Sequence, residues 1–169
     1  MKYKAIFFDR DGTLTYFNPE KEAWRDTIIS QWSGKPFELP HDKMMKLFGF
    51  AAEGRSPWYK TLDDEGEFFK RYYRHLLIGE GVQDELDTRA KLLFTELWCN
   101  NDRVLFPETV EVLEYFKEHG YKIGVISDTS PSLAYTLQQL GVAKYFTSFT
   151  ASSLVGAGKP MPNKLRPED

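Results

Sequence analysis

The chain has 169 residues, and its 22 Lys and Arg against 25 Asp and Glu leave a formal charge of −3. With 41% hydrophobic and 28% charged residues it has the balance of a soluble globular protein, which excludes disorder over most of its length. Cys99 is the only cysteine, so a disulfide scaffold is excluded; the mild acidity argues against a general nucleic-acid partner, and no apolar run approaches the roughly 20 residues that span a bilayer.

Lys4 to Phe8 reads as a short buried strand, because Ala5-Ile6-Phe7-Phe8 is continuously apolar and stops at polar residues. The same stretch is too short for a secretory leader, so a cytoplasmic protein without a membrane partner is expected. Asp9-Arg10-Asp11-Gly12-Thr13-Leu14 follows as a turn. From Tyr16 to about Asp102 the pattern is helical throughout. Asn18-Pro19 opens a first helix that Gly34 ends. His41 to Phe50, Asp63 to about Ile78 and Gln83 to Trp98 supply three more, with Phe68, Phe69, Tyr72, Tyr73, Leu76 and Leu77 on one face of the third.

At Leu105 the pattern changes. Pro107-Glu108-Thr109 opens a helix that closes at Gly120, and Lys122 to Ile126 reads as a second buried strand. Ser127 to Ser130 is a polar turn, Ser130-Pro131 caps a further helix ending at Gly141, and Tyr145 to Thr150 is a third strand. Gly156 to Pro160 is a loop, followed by a polar tail. Strands alternating with helices imply an α/β fold with a Rossmann-like parallel sheet. The division expected is an α/β core from residues 1–15 and 104–169, with 16–103 inserted as a helical domain.

Ligands of such sheets sit at the carboxyl ends of the strands. Asp9 and Asp11 fall there after the first strand, Ser127 and Asp128 after the second, and Lys159 after the third. Two carboxylates one residue apart can divide nucleophilic or metal-binding work from proton transfer, and they attract a hard cation such as Mg²⁺. A hydroxyl and an ammonium aimed at the same point suit a phosphoryl group. His41, His75 and His119 show no ligand-like spacing. Arg55, flanked by Gly54, is a candidate for meeting an anionic substrate.

The ordered set resembles the haloacid dehalogenase superfamily, in its phosphatase branch of phosphoglycolate phosphatases and β-phosphoglucomutases. Asp9-Arg10-Asp11-Gly12-Thr13 is similar to the family's first motif, Ser127 after Gly124-Val125-Ile126 to the second, and Lys159-Pro160 with Pro162 to the third. The resemblance implies a core with a mobile helical cap and Mg²⁺-dependent hydrolysis of a small phosphorylated metabolite. Asp9 would attack phosphorus, and Asp11 would protonate the leaving oxygen and then activate water. Ser127 would bind the phosphoryl oxygens, Lys159 would offset their charge, and Gly12 and Thr13 would shape the turn. The Asp9 carboxylate and the Asp11 carbonyl would hold the metal. A phosphomutase, or an inactive fragment serving as a binding module, is the alternative.

Two departures stand out. Asp128 occupies a position where the family often has asparagine. The family's acidic fourth motif, on a strand beside the first, has no counterpart before Asp169. The core is therefore expected to be truncated at its C-terminal side, leaving the first strand as an open edge along which the chain could dimerise or swap elements.

Overall fold

A computed structural model describes residues 4–54, 58–99 and 102–159. Arg55, Pro160 and Pro162 lie outside that set. The described residues form two compact units, one built from 4–16, 58–62 and 103–159, the other from 17–54, 63–99 and 102. Residues 58–62, which the sequence pattern places within the helical stretch, thus group with the α/β unit.

The α/β unit is organised on a parallel sheet of β1 (Ala5–Phe8), β4 (Lys122–Ser127) and β5 (Ser148–Ala151), in the order β1-β4-β5. The register pairs Phe8 with Val125 and Ser127 with Ala151, so β4 and β5 end together and β1 ends opposite Val125, just short of them. Ile123 and Val125 are buried, and against them pack Leu113, Leu133, Leu137 and Phe146 from the connecting segments. Phe8 meets Phe116 edge-on at 5.9 Å, tying β1 to α5 (Thr109–Glu118). Gly124 is required by close approach: a Cβ there would stand 2.5 Å from both the Phe7 ring and the Ser148 hydroxyl. Among the described residues β1 pairs only with β4, and Phe7 is 56% exposed, so β1 is an edge strand.

The helical unit contains α1 (Pro19–Ser33), α2 (His41–Ala52), α3 (Leu62–Gly79) and α4 (Leu86–Phe94). The start of α1 follows the local chemistry: the Asn18 side chain accepts from the Glu20 amide at 3.0 Å, and Pro19 holds the first helical position. Gly34, at φ 70°, closes the helix in the left-handed region. The inward face of α3 presents Phe68, Phe69, Tyr72, Tyr73, Leu76 and Leu77, as its periodicity predicts. Phe69 stacks on Trp98 at 3.7 Å, and Phe48 touches Phe68, Phe69 and Tyr72. No helix among the described residues is long and apolar enough to cross a membrane.

Several local expectations need correction. The stretch read as helical from Tyr16 begins instead with β2 (Thr15–Phe17), which pairs with β3 (Arg103–Leu105) in a two-stranded sheet. Three-residue strands carry no periodicity, and their pairing is a long-range event. The fourth helix starts at Leu86 rather than Gln83, behind Glu85 at φ 52°, and ends in a π-helical turn, Thr95–Cys99. The helix α6 (Leu133–Gln139) begins after Ser132, which makes no side-chain cap, rather than at Ser130-Pro131. A 3₁₀ turn, Ala143–Tyr145, precedes β5, and a one-turn helix α7 (Ser152–Val155) follows it.

Candidate active site

Asp9 is the first residue beyond β1, and the register sets it beside the end of β4. Its Oδ1 accepts from the Arg10 amide at 2.8 Å, its Oδ2 is paired with Lys159 Nζ, and the Ser127 hydroxyl donates to the same carboxylate. Burial alone would raise the Asp9 carboxyl. The bonds from Lys159, Ser127 and the Arg10 amide, with the charge of Lys159, outweigh that and hold it below its ordinary 3.8. Asp9 is therefore an anion near neutral pH, and both it and Lys159 keep more than a third of their side chains open to solvent.

Asp128 turns out to be a loop anchor. Both its oxygens accept the Lys159 amide, at 2.9 and 3.2 Å, and Gly158 packs against it. A carboxylate spent in this way holds the Gly158-Lys159 backbone and delivers the ammonium to Asp9. Lys60, from the stray segment 58–62, donates from Nζ to the Ser153 and Leu154 carbonyls at 2.8 Å each, bracing the turn just before that loop.

The turn after Asp9 is wound about one carbonyl. The amides of Leu14 and Thr15 both reach Arg10 O at 2.9 Å, and Thr13 reaches it at 3.4 Å. Gly12, at φ 74°, donates to Thr15 O at 2.8 Å; a side chain at that φ would be strained. Thr13 is exposed at the turn's tip.

Asp11 is held by two arginines. Arg10 grips it bidentately, Nε to Oδ1 at 3.0 Å and Nη2 to Oδ2 at 2.8 Å, while Arg103 Nε reaches Oδ1 at 2.6 Å. Burial works to raise the Asp11 carboxyl, but the bonds and charges of Arg10 and Arg103 bring it down to about 2. Arg10 is 2% exposed and Arg103 7%. Neither arginine is singled out by the sequence pattern, although Ile6, Phe8 and Arg10 alternate along one face and so point Arg10 inward. Arg103 follows the polar stretch 100–102 and gives no such sign.

Asp9, Ser127 and Lys159 thus meet around one point, with Asp11 beside them in its clamp. Among the described residues no three acidic, His or Cys side chains form a metal cluster. The ionised carboxylate of Asp9 is a hard oxygen donor of the kind Mg²⁺ takes, a cation that fills its shell with water and substrate phosphate. An ionised carboxylate beside an ammonium and a hydroxyl can attack an electrophile whose oxygens those donors hold.

The family model for haloacid dehalogenase-like hydrolases matches residues 3–166. A phosphoglycolate phosphatase of Nitrosococcus oceani is 26% identical over 169 residues, covering 96% of this chain and 67% of the relative. The phosphatase MT3486 of Mycobacterium tuberculosis is likewise 26% identical, covering 96% of this chain and 70% of the relative. A solved Bacillus subtilis protein of the same hydrolase superfamily, bound to magnesium, shares the fold with a TM-score of 0.56 at 17% identity, covering 95% of this chain and 70% of that one. The chain spans about two thirds of the length of these relatives.

Proposed function

This chain belongs to the haloacid dehalogenase-like hydrolases, as a phosphatase-type member, and from that premise we propose that it hydrolyses small phosphate monoesters through a phosphoryl group carried on Asp9. The observation that carries the reading is the convergence of the Asp9 carboxylate, the Ser127 hydroxyl and the Lys159 ammonium at the carboxyl ends of β1 and β4.

The Asp9 oxygen attacks phosphorus in line, the ester oxygen leaves with a proton from the Asp11 carboxyl, and an acyl phosphate forms on Asp9. Ser127 and Lys159 hold the equatorial oxygens and meet the charge that develops there. Water then attacks phosphorus, its proton passes to Asp11, and inorganic phosphate and free Asp9 are returned. Asp11 is ionised in its clamp, which suits it to the base step. Donating a proton to the leaving oxygen requires its carboxyl to come out of the clamp. The Asp9 carboxylate and the Asp11 carbonyl would hold Mg²⁺, which would neutralise phosphoryl charge when bound. Self-association along the open edge of β1, where Phe7 is exposed, belongs to the same proposal, and light scattering that finds only monomer ends that part of it.

The test is turnover of a panel of phosphate monoesters with and without Mg²⁺. Metal-dependent hydrolysis should fall at least about 10⁴-fold in Asp9→Asn, in line with the loss of a nucleophile. Hydrolysis that survives the substitution contradicts the proposal.

A further inference from the structure

Arg10 is the most deeply buried charged side chain at the site, and the mechanism above gives it no task. Neutralising Asp11 does not by itself account for it, because Arg103 already reaches the same carboxylate at 2.6 Å. What Arg10 adds is reach. Its Nη2, besides binding Asp11, donates to Thr129 Oγ1 at 2.7 Å, across 119 residues of sequence. Thr129 lies in the turn that follows Ser127 and Asp128. Its own carbonyl accepts from Ser152 Oγ at 3.2 Å and from the Ser153 amide at 3.1 Å, on the turn that leads to Lys159. The buried guanidinium therefore ties the Asp9 turn to the turn after Ser127, and through the Thr129 carbonyl that turn is tied to the segment leading to Lys159.

We infer that Arg10 is a positioning residue for phosphoryl transfer, whose guanidinium bridge to Thr129 fixes the Asp9 turn against the Ser127 and Lys159 turns so that all three address one phosphoryl group. The inference rests on Asp9 as the nucleophile. Its physical content is that in-line attack is steep in geometry: a misplacement of about 1 Å costs on the order of 100-fold. The fork is needed because two acceptors, on two different turns, must be met at once. A lysine offers one charged nitrogen on a flexible stem in its place.

The experiment compares Thr129→Val, Arg10→Lys, Arg10→Met and the Arg10→Met/Thr129→Val double variant, with Mg²⁺ present and p-nitrophenyl phosphate as substrate. Unfolding midpoints identify the variants that remain folded. Thr129→Val keeps the side-chain shape and loses only the bridge; its kcat should fall about tenfold, the scale of one charge-assisted bond, with KM little changed. Arg10→Lys should fall with Arg10→Met, about 100-fold. The double variant should be no worse than Arg10→Met, since both substitutions cut the same bridge. Orthovanadate, which mimics the five-coordinate phosphorus, should bind more weakly in proportion to the loss of kcat, while inorganic phosphate should bind as before. Vanadate and phosphate affinities can be read by calorimetry whether or not the substrate turns over.

A folded Thr129→Val with wild-type kcat and vanadate affinity overturns the inference, and so do multiplying losses in the double variant. If Arg10→Met does not fold, Thr129→Val and Arg10→Lys decide. Activity retained in Asp9→Asn overturns the nucleophile reading instead, whereas activity lost in Asp9→Asn and untouched in Thr129→Val removes only the role of Arg10.

Discussion

Around the sheet, the buried set mixes aliphatic side chains such as Val125, Leu133 and Leu137 with Arg10, Arg103, Ser127, Ser130 and Ser132. In the helical unit the rings of Phe68, Phe69, Tyr72 and Tyr73 pack with aliphatic side chains such as Leu47, Leu76 and Leu93, and the buried charges among the described residues are Glu65 and Glu80. Glu80, 8% exposed, lies between Lys43 and Lys35, the latter at 3.2 Å, and these lysines outweigh burial to hold its carboxyl below the usual range. The buried charges of the α/β unit are instead guanidiniums, hydrogen-bonded to Asp11 in the turn after β1. Burying a charge costs free energy that only good pairing offsets. The α/β unit incurs that cost where the Asp9 turn must be held.

The comparison is sharpest under truncation of each core. Phe69→Ala should destabilise the protein by about 4 kcal/mol and Leu137→Ala by about 3 kcal/mol, both measured by denaturant unfolding. Phe69 is 4% exposed and stacked on Trp98, and Leu137 is fully buried among the residues behind β4. If the two units fold separately, a two-probe melt should show Phe69→Ala shifting one transition and Leu137→Ala the other. Coincident shifts would mean that the units fold as one.

Charge at the site comes next. Lys159→Met should leave unfolding little changed and lower kcat by about 10²-fold, the usual cost of one donor aimed at developing negative charge. A loss of stability without a loss of rate would make Lys159 a structural residue. The smallest effect concerns acid. The Asp11 carboxyl stands at about 2 when folded against an ordinary 3.8, so its pairing adds stability that is complete above 3.8 and disappears as pH falls towards 2. Asp11 is 41% exposed, so solvent screening keeps the contribution small. Denaturant midpoints followed through that window should fall more steeply for wild type than for Asp11→Asn, and parallel curves would contradict the pairing.

Much of this is legible in the sequence, for local reasons. Ala5 to Phe8 and Lys122 to Ile126 announce themselves as buried strands because they are short, apolar and bounded by polar turns. Asn18-Pro19 and Gly34 mark both ends of α1, since capping depends on neighbours in sequence. Asp9 and Ser127 fall at strand ends because each follows such a strand, and Lys159 lies on the glycine-flanked loop beyond the third. The residues that escaped notice depend on contacts remote in sequence. Arg103 joins Asp11 across 92 residues and Arg10 joins Thr129 across 119, so neither partner can be read from neighbours in sequence. The same holds for the pairing of β2 with β3 and for the return of residues 58–62 to the α/β unit. Asp128 was ambiguous for a related reason: its partner is a backbone amide, and amides carry no label in a sequence.

The most direct test of the central claim is to trap the phosphorylated carboxylate. Enzyme quenched during turnover of a phosphate monoester and reduced with borohydride should yield homoserine at position 9, because borohydride converts an aspartyl phosphate to the alcohol and leaves free aspartate untouched. The account predicts substrate-dependent homoserine at that position and none in Asp9→Asn. Steady turnover with position 9 unmodified, or homoserine at another aspartate, would contradict it.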